Sequence, residues 1–243
     1  MGKTTENGEN GEGKTMRIGG FQKMTVLDYP GKIAATVFTY GCNLRCPFCH
    51  NASLVVDDSE LLSADEILRY LAKRRGILDG VCVSGGEPLL QPDIESLLRA
   101  IRDLGLQVKL DTNGTLPHRL ADVTAKGLVD YVAMDIKNAP SRYPETVGCA
   151  QVDLDAVRES ASLLMRGNIP YEFRTTVVRE LHGDDEIEEI GRWIAGAERY
   201  FLQGFIDSGN LIGGGLSAYT KEEMERLCAV AARYVPSAAV RGV

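Results

Sequence analysis

Residues 33–51 read IAATVFTYGCNLRCPFCHN, an apolar run that leads directly into a loop with three cysteines. The run from Ile33 to Tyr40 is continuous and contains β-branched residues, which predicts a strand that is buried on both faces. Strands of this kind are typical of parallel sheets that helices cover on both sides. The stretch therefore predicts an α/β fold in which the cysteine loop follows the carboxyl end of a parallel strand.

Strand and helix patterns alternate along the rest of the chain. Further strands are predicted at Gly80–Ser84, Leu106–Leu110, Tyr131–Ile136, Tyr171–Val178 and Tyr200–Ile206. Helices are predicted at Ala64–Arg75, Pro92–Leu104, Pro117–Lys126, Asp153 or Asp155 to Arg166, Asp184–Ala195 and Thr220–Tyr234. Capping boxes at Ser63–Glu66 and Thr220–Glu223 mark two of the helix starts. About six such units predict a single domain over residues 16–243, a complete or partial barrel of parallel strands.

Three of the six cysteines, Cys42, Cys46 and Cys49, have the spacing C-x3-C-x2-C. A [4Fe–4S] cluster normally takes four thiolates, so three local thiolates leave one iron open to a substrate or cofactor. A zinc site with His50 as fourth ligand is the alternative, but adjacent residues seldom reach one tetrahedral centre. Zinc ribbons also supply a second C-x2-C pair, which the other cysteines do not form. Those cysteines, Cys82, Cys149 and Cys228, are predicted to be core residues.

Polar residues follow the other predicted strands. They are Ser84-Gly85-Gly86-Glu87-Pro88, Asp111-Thr112-Asn113-Gly114 and Asp135-Ile136-Lys137. The next strand carries Arg174 near its start and Arg179 at its end. Because the carboxyl ends of barrel strands meet at one mouth, these residues predict an enzyme site. Glycines there can expose backbone atoms to a ligand, and Glu87 can meet an ammonium group. Purely structural roles stay open for the same residues. Glu87 could cap a tight turn, and Asp111, Asp135 and Lys137 could be turn, cap or surface residues.

Composition narrows the class of protein. The net charge of −7 disfavours nucleic acid as a partner. No apolar run reaches the length of a membrane span, and no signal-peptide pattern is present, which favours the cytoplasm. Residues 1–15 contain no large apolar side chain after Met1 and are predicted to be a disordered tail. His118 and His182 are predicted at the surface, and residues 209–215 as a mobile loop over the barrel mouth.

The motifs together resemble the radical S-adenosylmethionine superfamily. They are CNLRCPFCHN (42–51), SGGEP (84–88), DTNG (111–114) and DIK (135–137), in a combination similar to the glycyl-radical-enzyme activating group. TVLDYPGK (25–32) and YEFRTTVV (171–178) resemble activating proteins of anaerobic ribonucleoside-triphosphate reductase. The resemblance implies a partial (β/α)6 barrel, with Cys42, Cys46 and Cys49 as ligands of a [4Fe–4S] cluster whose unique iron binds S-adenosylmethionine.

The same resemblance implies how the chain would surround S-adenosylmethionine. The expected cofactor-binding residues are Phe48, His50, Gly85, Gly86, Glu87, Asp111, Asp135 and Lys137. The two glycines would approach the methionine amino group and Lys137 its carboxylate. The two aspartates would lie near the ribose or a bound monovalent cation, and Phe48 and His50 would flank the adenine. Related activating enzymes place a histidine in a segment similar to residues 202–205, where this chain has none.

The implied reaction is reductive cleavage of S-adenosylmethionine by an electron from flavodoxin or ferredoxin. The 5′-deoxyadenosyl radical would then remove a hydrogen from a glycine of a partner glycyl radical enzyme, here expected to be anaerobic ribonucleotide reductase. Two other interpretations share part of the pattern. One is a radical enzyme that acts on a small molecule or a peptide, and the other is a non-catalytic iron–sulfur protein that carries electrons or binds a partner.

Overall fold

The computed structural model describes residues 16–56 and 61–243, and its strands form one eight-stranded sheet. The strands are β1 (Ile18–Thr25), β2 (Ala34–Thr39), β3 (Gly80–Gly85), β4 (Gln107–Thr112), β5 (Tyr131–Asp135), β6 (Tyr171–Val177), β7 (Tyr200–Gly204) and β8 (Ala239–Arg241). Their order in the sheet is their order in the chain. β1 is antiparallel to β2, and every later neighbouring pair is parallel. The predicted α/β fold with an open, mostly parallel sheet is confirmed. The predicted tail, residues 1–15, lies outside the described residues.

Helices connect the parallel strands. They are α1 (Ser53–Val56), α2 (Ala64–Lys73), α3 (Ile94–Asp103), α4 (Pro117–Ala125), α5 (Tyr143–Thr146), α6 (Leu154–Arg166), α7 (Asp184–Trp193) and α8 (Lys221–Ala231). Apolar residues at helical spacing bury one face of each longer helix, as Ile94, Leu97, Leu98 and Ile101 do in α3. Within the described ranges, no helix combines the length and the apolar character that crossing a membrane requires.

Helix starts follow the sequence signals with one exception. The capping box at α8 is present, since Thr220 Oγ1 accepts from Glu223 N at 3.3 Å and Glu223 accepts from Thr220 N at 2.7 Å. At α6 the Asp153 side chain accepts from the backbone N–H groups of Asp155 and Ala156. The box predicted at α2 is wrong, because the Ser63 side chain makes no capping hydrogen bond, although the helix begins at Ala64 as expected.

The sequence pattern misses the two edge strands. β1 (IGGFQKMT) contains two glycines and three exposed residues in a row, so it lacks a clean alternation. β8 is only three residues long. Both are held by hydrogen bonds to a neighbouring strand, which local sequence does not report.

Side chains alternate between the two faces of β3–β6. One face is apolar and packs with the helices in the main core; its residues include Val83, Leu110, Met134 and Phe173. The other face is polar and carries residues that contact one another, namely Ser84, Asp111, Asp135 and Arg174. The concave side of the sheet is therefore lined by charge where its strands end.

Candidate active site

A cavity opens where the parallel strands end. It contains about 880 Å³ of empty space, a figure that includes the open solvent at its mouth. All predicted site residues except Glu87 line it: Cys42, Cys46, Cys49, Phe48, His50, Gly85, Gly86, Asp111, Asp135 and Lys137. Arg174, Thr176 and Gln203 also contribute to the wall. The convergence expected from a parallel topology is thus present.

The cysteine loop is fastened to its surroundings by backbone hydrogen bonds. Gly41 N donates to Leu54 O and Arg45 N to Val147 O, both at 2.8 Å. The Cys42 sulfur accepts from Leu44 N at 3.4 Å. Burial raises the pKa of the Cys46 thiol to about 12, so this thiol becomes a ligand only when the positive charge of bound metal displaces its proton. The loop thus presents three thiols from a fixed backbone.

The three thiols meet the basic requirement of an iron–sulfur cluster. Among the residues that the structure describes, no three His, Cys, Asp or Glu side chains converge on one metal-ion position. A four-iron cluster needs thiols that surround a space, since each thiolate binds a different iron. Cys42, Cys46 and Cys49 do line one cavity, and the His50 ring lies 6.0 Å from that of Phe205. The donor set therefore fits an iron–sulfur cluster.

The glycine pair at the end of β3 is required by packing. A Cβ atom on Gly86 would lie 1.9 Å from Gly41 O, and one on Gly85 would lie 2.3 Å from Thr39 N, where φ is also +119°. Gly86 N donates to Thr39 O at 2.9 Å. The loop after β3 therefore packs directly against the start of the cysteine loop. Both glycines still line the cavity, and a ligand ammonium would have to be met there by carbonyl acceptors.

Glu87 does not face the cavity, which corrects its predicted role toward an ammonium group. Its side chain is fully buried, and it accepts hydrogen bonds from Thr112 Oγ1 at 2.9 Å, Asn113 N at 2.7 Å and Leu89 N at 3.1 Å. Burial raises the pKa of Glu87 to about 7, although these hydrogen bonds favour the ionised form. The carboxylate instead joins the β3 loop to the end of β4.

Charges of alternating sign cross the inner face of the sheet. Lys137 Nζ lies 2.8 Å from Asp135 Oδ2, and Arg174 Nε lies 2.8 Å from Asp135 Oδ1. Arg174 Nη1 reaches Asp111 Oδ2 at 3.3 Å, and Lys109 pairs with Asp111 Oδ1. Sequence reasoning placed the aspartates and Lys137 here and noted Arg174, but it missed Lys109.

This network keeps both carboxylates ionised. Burial alone would raise the pKa of Asp111, but Arg174 and Lys109 outweigh it and lower that pKa to about 2. The pKa of Asp135 is lowered too, because Arg174 and Lys137 overcome the effect of burial. Burial opposes the charge of Lys137, yet Asp135 raises its pKa above the ordinary value. Three cations and two carboxylates leave an excess of one positive charge, which suits an anionic ligand.

The cavity wall also contains aromatic rings. Phe48 is buried, and its ring meets that of His182 edge-on at 6.4 Å. The surface position predicted for His182 is wrong. Its Nδ1 accepts from Val178 N at 3.0 Å, so Nε2 carries the hydrogen and donates to Lys137 O at 2.8 Å. Burial lowers the pKa of His182, and the neutral ring supports the wall behind Phe48 and Lys137. His118 is exposed, as predicted.

The remaining predicted features lie around this site. In the glycine-rich loop, Gly213 N donates to Pro47 O at 2.8 Å, so the loop contacts the cysteine loop. All six cysteines are free thiols. Cys82 is fully buried, as predicted, whereas Cys149 and Cys228 are half-buried at the edge of the core.

Similarity to known sequences covers nearly the whole chain. Residues 36–194 match the family profile described as "Radical SAM superfamily". The chain is 30% identical to the "Putative glycyl-radical enzyme activating enzyme MJ1227" of Methanocaldococcus jannaschii, over 93% of this chain and 96% of the relative. It is 34% identical to the pyruvate formate-lyase-activating enzyme of Clostridium pasteurianum, over 50% of this chain and 52% of that protein.

Solved structures share the fold. SuiB of Streptococcus suis bound to its precursor peptide SuiA superimposes with a TM-score of 0.68 at 20% identity. The likeness covers 83% of this chain and 47% of SuiB. A domain of pyruvate-formate lyase-activating enzyme from Bacteroides vulgatus gives a TM-score of 0.53 at 20% identity, over 67% of this chain and 99% of that domain. With the family profile, these findings identify the chain as a radical SAM enzyme: it belongs to the radical S-adenosylmethionine superfamily, and membership implies a [4Fe–4S] cluster and S-adenosylmethionine as its cofactors.

Proposed function

We propose that this chain generates a glycyl radical on a partner enzyme, and that the partner is an anaerobic ribonucleoside-triphosphate reductase. The observation that carries the first part is the 30% identity to a protein named as a glycyl-radical enzyme activating enzyme, over nearly the full length of both chains. The reductase is supported by residues 25–32 and 171–178, which resemble its activating proteins. When bound, the cofactors supply the reductive cleavage that yields a 5′-deoxyadenosyl radical, with flavodoxin or ferredoxin as electron donor.

Cys42, Cys46 and Cys49 are the proposed cluster ligands. They lie on a loop whose backbone is anchored to Leu54 and Val147, so the thiols need little reordering when iron binds. Preorganised ligands of this kind lower the entropic cost of binding. The Asn113 amide lies 3.8 Å from the Cys42 sulfur and contributes a polar neighbour to it. Such neighbours influence the potential of iron–sulfur sites.

The methionine end of S-adenosylmethionine is proposed to lie between the glycines and the charge network. Lys137 is placed to meet the carboxylate, because it lines the cavity and retains its positive charge. The carbonyl groups of Gly85 and Gly86 are proposed acceptors for the amino group, since the N–H of Gly86 already donates to Thr39. Asp135 is a proposed acceptor for ribose hydroxyls, because an ionised carboxylate has more lone pairs than its two cationic partners use.

The adenine is proposed to lie against Phe48 and His50. Burial lowers the pKa of His50, so a neutral ring faces the cavity. Gln203 lines the cavity, in the segment where related activating enzymes have a histidine. Its side chain makes no hydrogen bond to any residue that the structure describes. A glutamine amide offers a donor and an acceptor together, which matches the edge of adenine. We therefore propose that Gln203 makes the cofactor contact that a histidine makes in related activating enzymes.

Electron paramagnetic resonance tests the proposed function. The anaerobically reconstituted protein is reduced and incubated with S-adenosylmethionine and an anaerobic ribonucleotide reductase, with Cys46→Ala as the matched control. The expected result is a glycyl doublet that the control does not give. If 5′-deoxyadenosine forms but no doublet appears with several glycyl radical enzymes, the substrate is a small molecule or peptide instead. If no 5′-deoxyadenosine forms under strong reduction, a non-catalytic role replaces the proposal.

A further inference from the structure

Lys109 is a buried ammonium group close to the cofactor site but outside its lining. It lies on β4 two residues before Asp111, so both side chains project from the same face of the strand. Its residue exposure is 1%, its Nζ pairs with Asp111 Oδ1, and the Cys82 sulfur lies at 3.7 Å. Burial by itself lowers the pKa of Lys109, but Asp111 and Cys82 reverse that effect and leave it raised, so the group is cationic.

The carboxylate of Asp111 is surrounded by donors. Lys109 binds one oxygen, and the other accepts from Ser84 Oγ at 2.9 Å and Arg174 Nη1 at 3.3 Å. Three of the about four lone-pair sites of this carboxylate are thus occupied, which leaves little room for a monovalent cation. Such a cation would also be repelled by the two cationic side chains already in contact with the carboxylate. The expectation of a bound cation beside Asp111 therefore conflicts with the groups that are present.

Lys109 also decides the charge of the whole network. Lys109, Arg174 and Lys137 face two carboxylates, Asp111 and Asp135. Without Lys109 the remaining four groups sum to zero, and Arg174 becomes the principal charged partner of Asp111. With Lys109 in place, one positive charge is left over at the cavity end of the network, where Lys137 lies.

We infer that Lys109 is a positioning residue that replaces a monovalent metal cation in this site: its fixed ammonium neutralises Asp111, so that Arg174 and Lys137 stay oriented toward an anionic ligand. The expected ligand group is the carboxylate of S-adenosylmethionine. The inference rests on the cofactor that family membership implies and does not depend on which partner receives the radical. Its failure would leave the proposed glycyl radical activity untouched.

The wild-type holoenzyme gives the first test. Equilibrium dialysis measures binding of S-adenosylmethionine in potassium, sodium or choline chloride at one ionic strength, at which general screening is the same. The dissociation constant should agree within about twofold across the three salts, because no metal cation is part of the site. Binding that is weakened in choline chloride and restored by potassium or sodium would overturn the inference. This test needs only the wild-type protein.

Replacement of the ammonium gives the second test. Lys109→Ala holoenzyme should bind S-adenosylmethionine roughly 10- to 100-fold more weakly in choline chloride, as is usual when a residue that orients a ligand-contacting group is removed. Ammonium or potassium chloride should restore much of the affinity, because either ion can enter the space beside Asp111. Lys126→Ala, which removes a surface lysine paired with Glu95 at 2.7 Å, is the matched control and should bind normally in every salt.

A purely structural role for Lys109 predicts a different pattern. In that case Lys109→Ala would lower the melting temperature and the affinity, and no cation would restore either. Lys109→Arg, which keeps the charge in a different shape, would then be as weak as Lys109→Ala. That pattern, or unchanged affinity of Lys109→Ala in choline, would refute the inference. Cation rescue together with partial function of Lys109→Arg would support it.

Discussion

Arg174 bridges the two buried carboxylates, and its replacement by methionine should destabilise the protein measurably. The Arg174 side chain is 12% exposed and contacts Asp135 at 2.8 Å and Asp111 at 3.3 Å. Methionine keeps much of the side-chain volume but removes the charge and all donors. The carboxylates then keep one cationic partner each, Lys137 and Lys109.

The size of the loss follows from the pKa of Asp111. Its shift from 3.8 to about 2 corresponds to about 2 kcal/mol of stability, and Arg174 is the largest favourable cause of the shift. Removing one partner of a buried pair costs about 3–5 kcal/mol in general. Because two cations remain, we expect the lower end of that range, about 3 kcal/mol for Arg174→Met.

The stability of the wild type and that of Arg174→Met should also respond differently to acid. The pKa of Asp111 is depressed in the folded protein, so its stabilising contribution is present above pH 3.8 and is lost as the pH falls toward about 2. In Arg174→Met the pKa of Asp111 should rise toward its ordinary value. Less stability is then gained between pH 2 and pH 4, and acid unfolding should begin at a higher pH than in the wild type.

Urea unfolding followed by far-ultraviolet circular dichroism measures both effects on the iron-free chain, at pH 7 and over a pH series. Arg158→Met is the matched control, because Arg158 is an exposed arginine that pairs with Asp155 at 3.0 Å on α6. That control should change the free energy of unfolding by about 0.5 kcal/mol or less. A loss in Arg174→Met no larger than the control's, or an acid transition at the wild-type pH, would refute the reasoning.

Three further predictions concern other parts of the site. Cys46→Ala should prevent cluster assembly, whereas Cys228→Ala on α8 should keep it; iron and sulfide analysis after reconstitution would contradict this if both variants behave alike. Glu87→Ala should lower the free energy of unfolding by about 3 kcal/mol, since buried donors left unpartnered cost about 1–3 kcal/mol each. Thermal denaturation measures it, and a loss under about 1 kcal/mol would exclude the joining role of this carboxylate. Gln203→Ala should weaken binding of S-adenosylmethionine roughly tenfold, the equivalent of one hydrogen bond. Equilibrium dialysis measures this, with partial recovery expected in Gln203→His and unchanged affinity arguing against a contact.

The fold and most of the cavity lining could be predicted because both follow from local signals and one topological rule. Alternation of buried strands and amphipathic helices specifies a parallel sheet, and a parallel sheet brings every strand's carboxyl end to the same side. Because parallel strands end on the same side of the sheet, the three cysteines and the two aspartates could be predicted to lie in one site. β1 was not predicted because it is stabilised by pairing with β2, while its own sequence lacks a clear alternation of apolar and polar residues.

Lys109 and His182 could not be predicted because their environments are set by residues distant in sequence. A lysine between Val108 and Leu110 fits the alternation of a half-exposed strand, in which the polar side chain faces water. Here that face is the concave interior, and the ammonium is stabilised by Asp111. A histidine in the loop before α7 gives no local hint that it will contact the Lys137 carbonyl.

The two glycines at the end of β3 belong to a motif that was recognised correctly, but the immediate reason why glycine is needed there is packing. Gly85 and Gly86 suggest exposed backbone for a ligand, yet added Cβ atoms would collide with Thr39 and Gly41 before any ligand is considered. Because Gly41 precedes Cys42, a side chain at Gly86 must move either the β3 loop or the first thiol. Loss of cofactor binding in Gly86→Ala would therefore follow from displacement of the cysteine loop alone. Substitution of Lys137, which follows β5 and lines the cavity, tests a ligand contact without placing a new atom against Gly41.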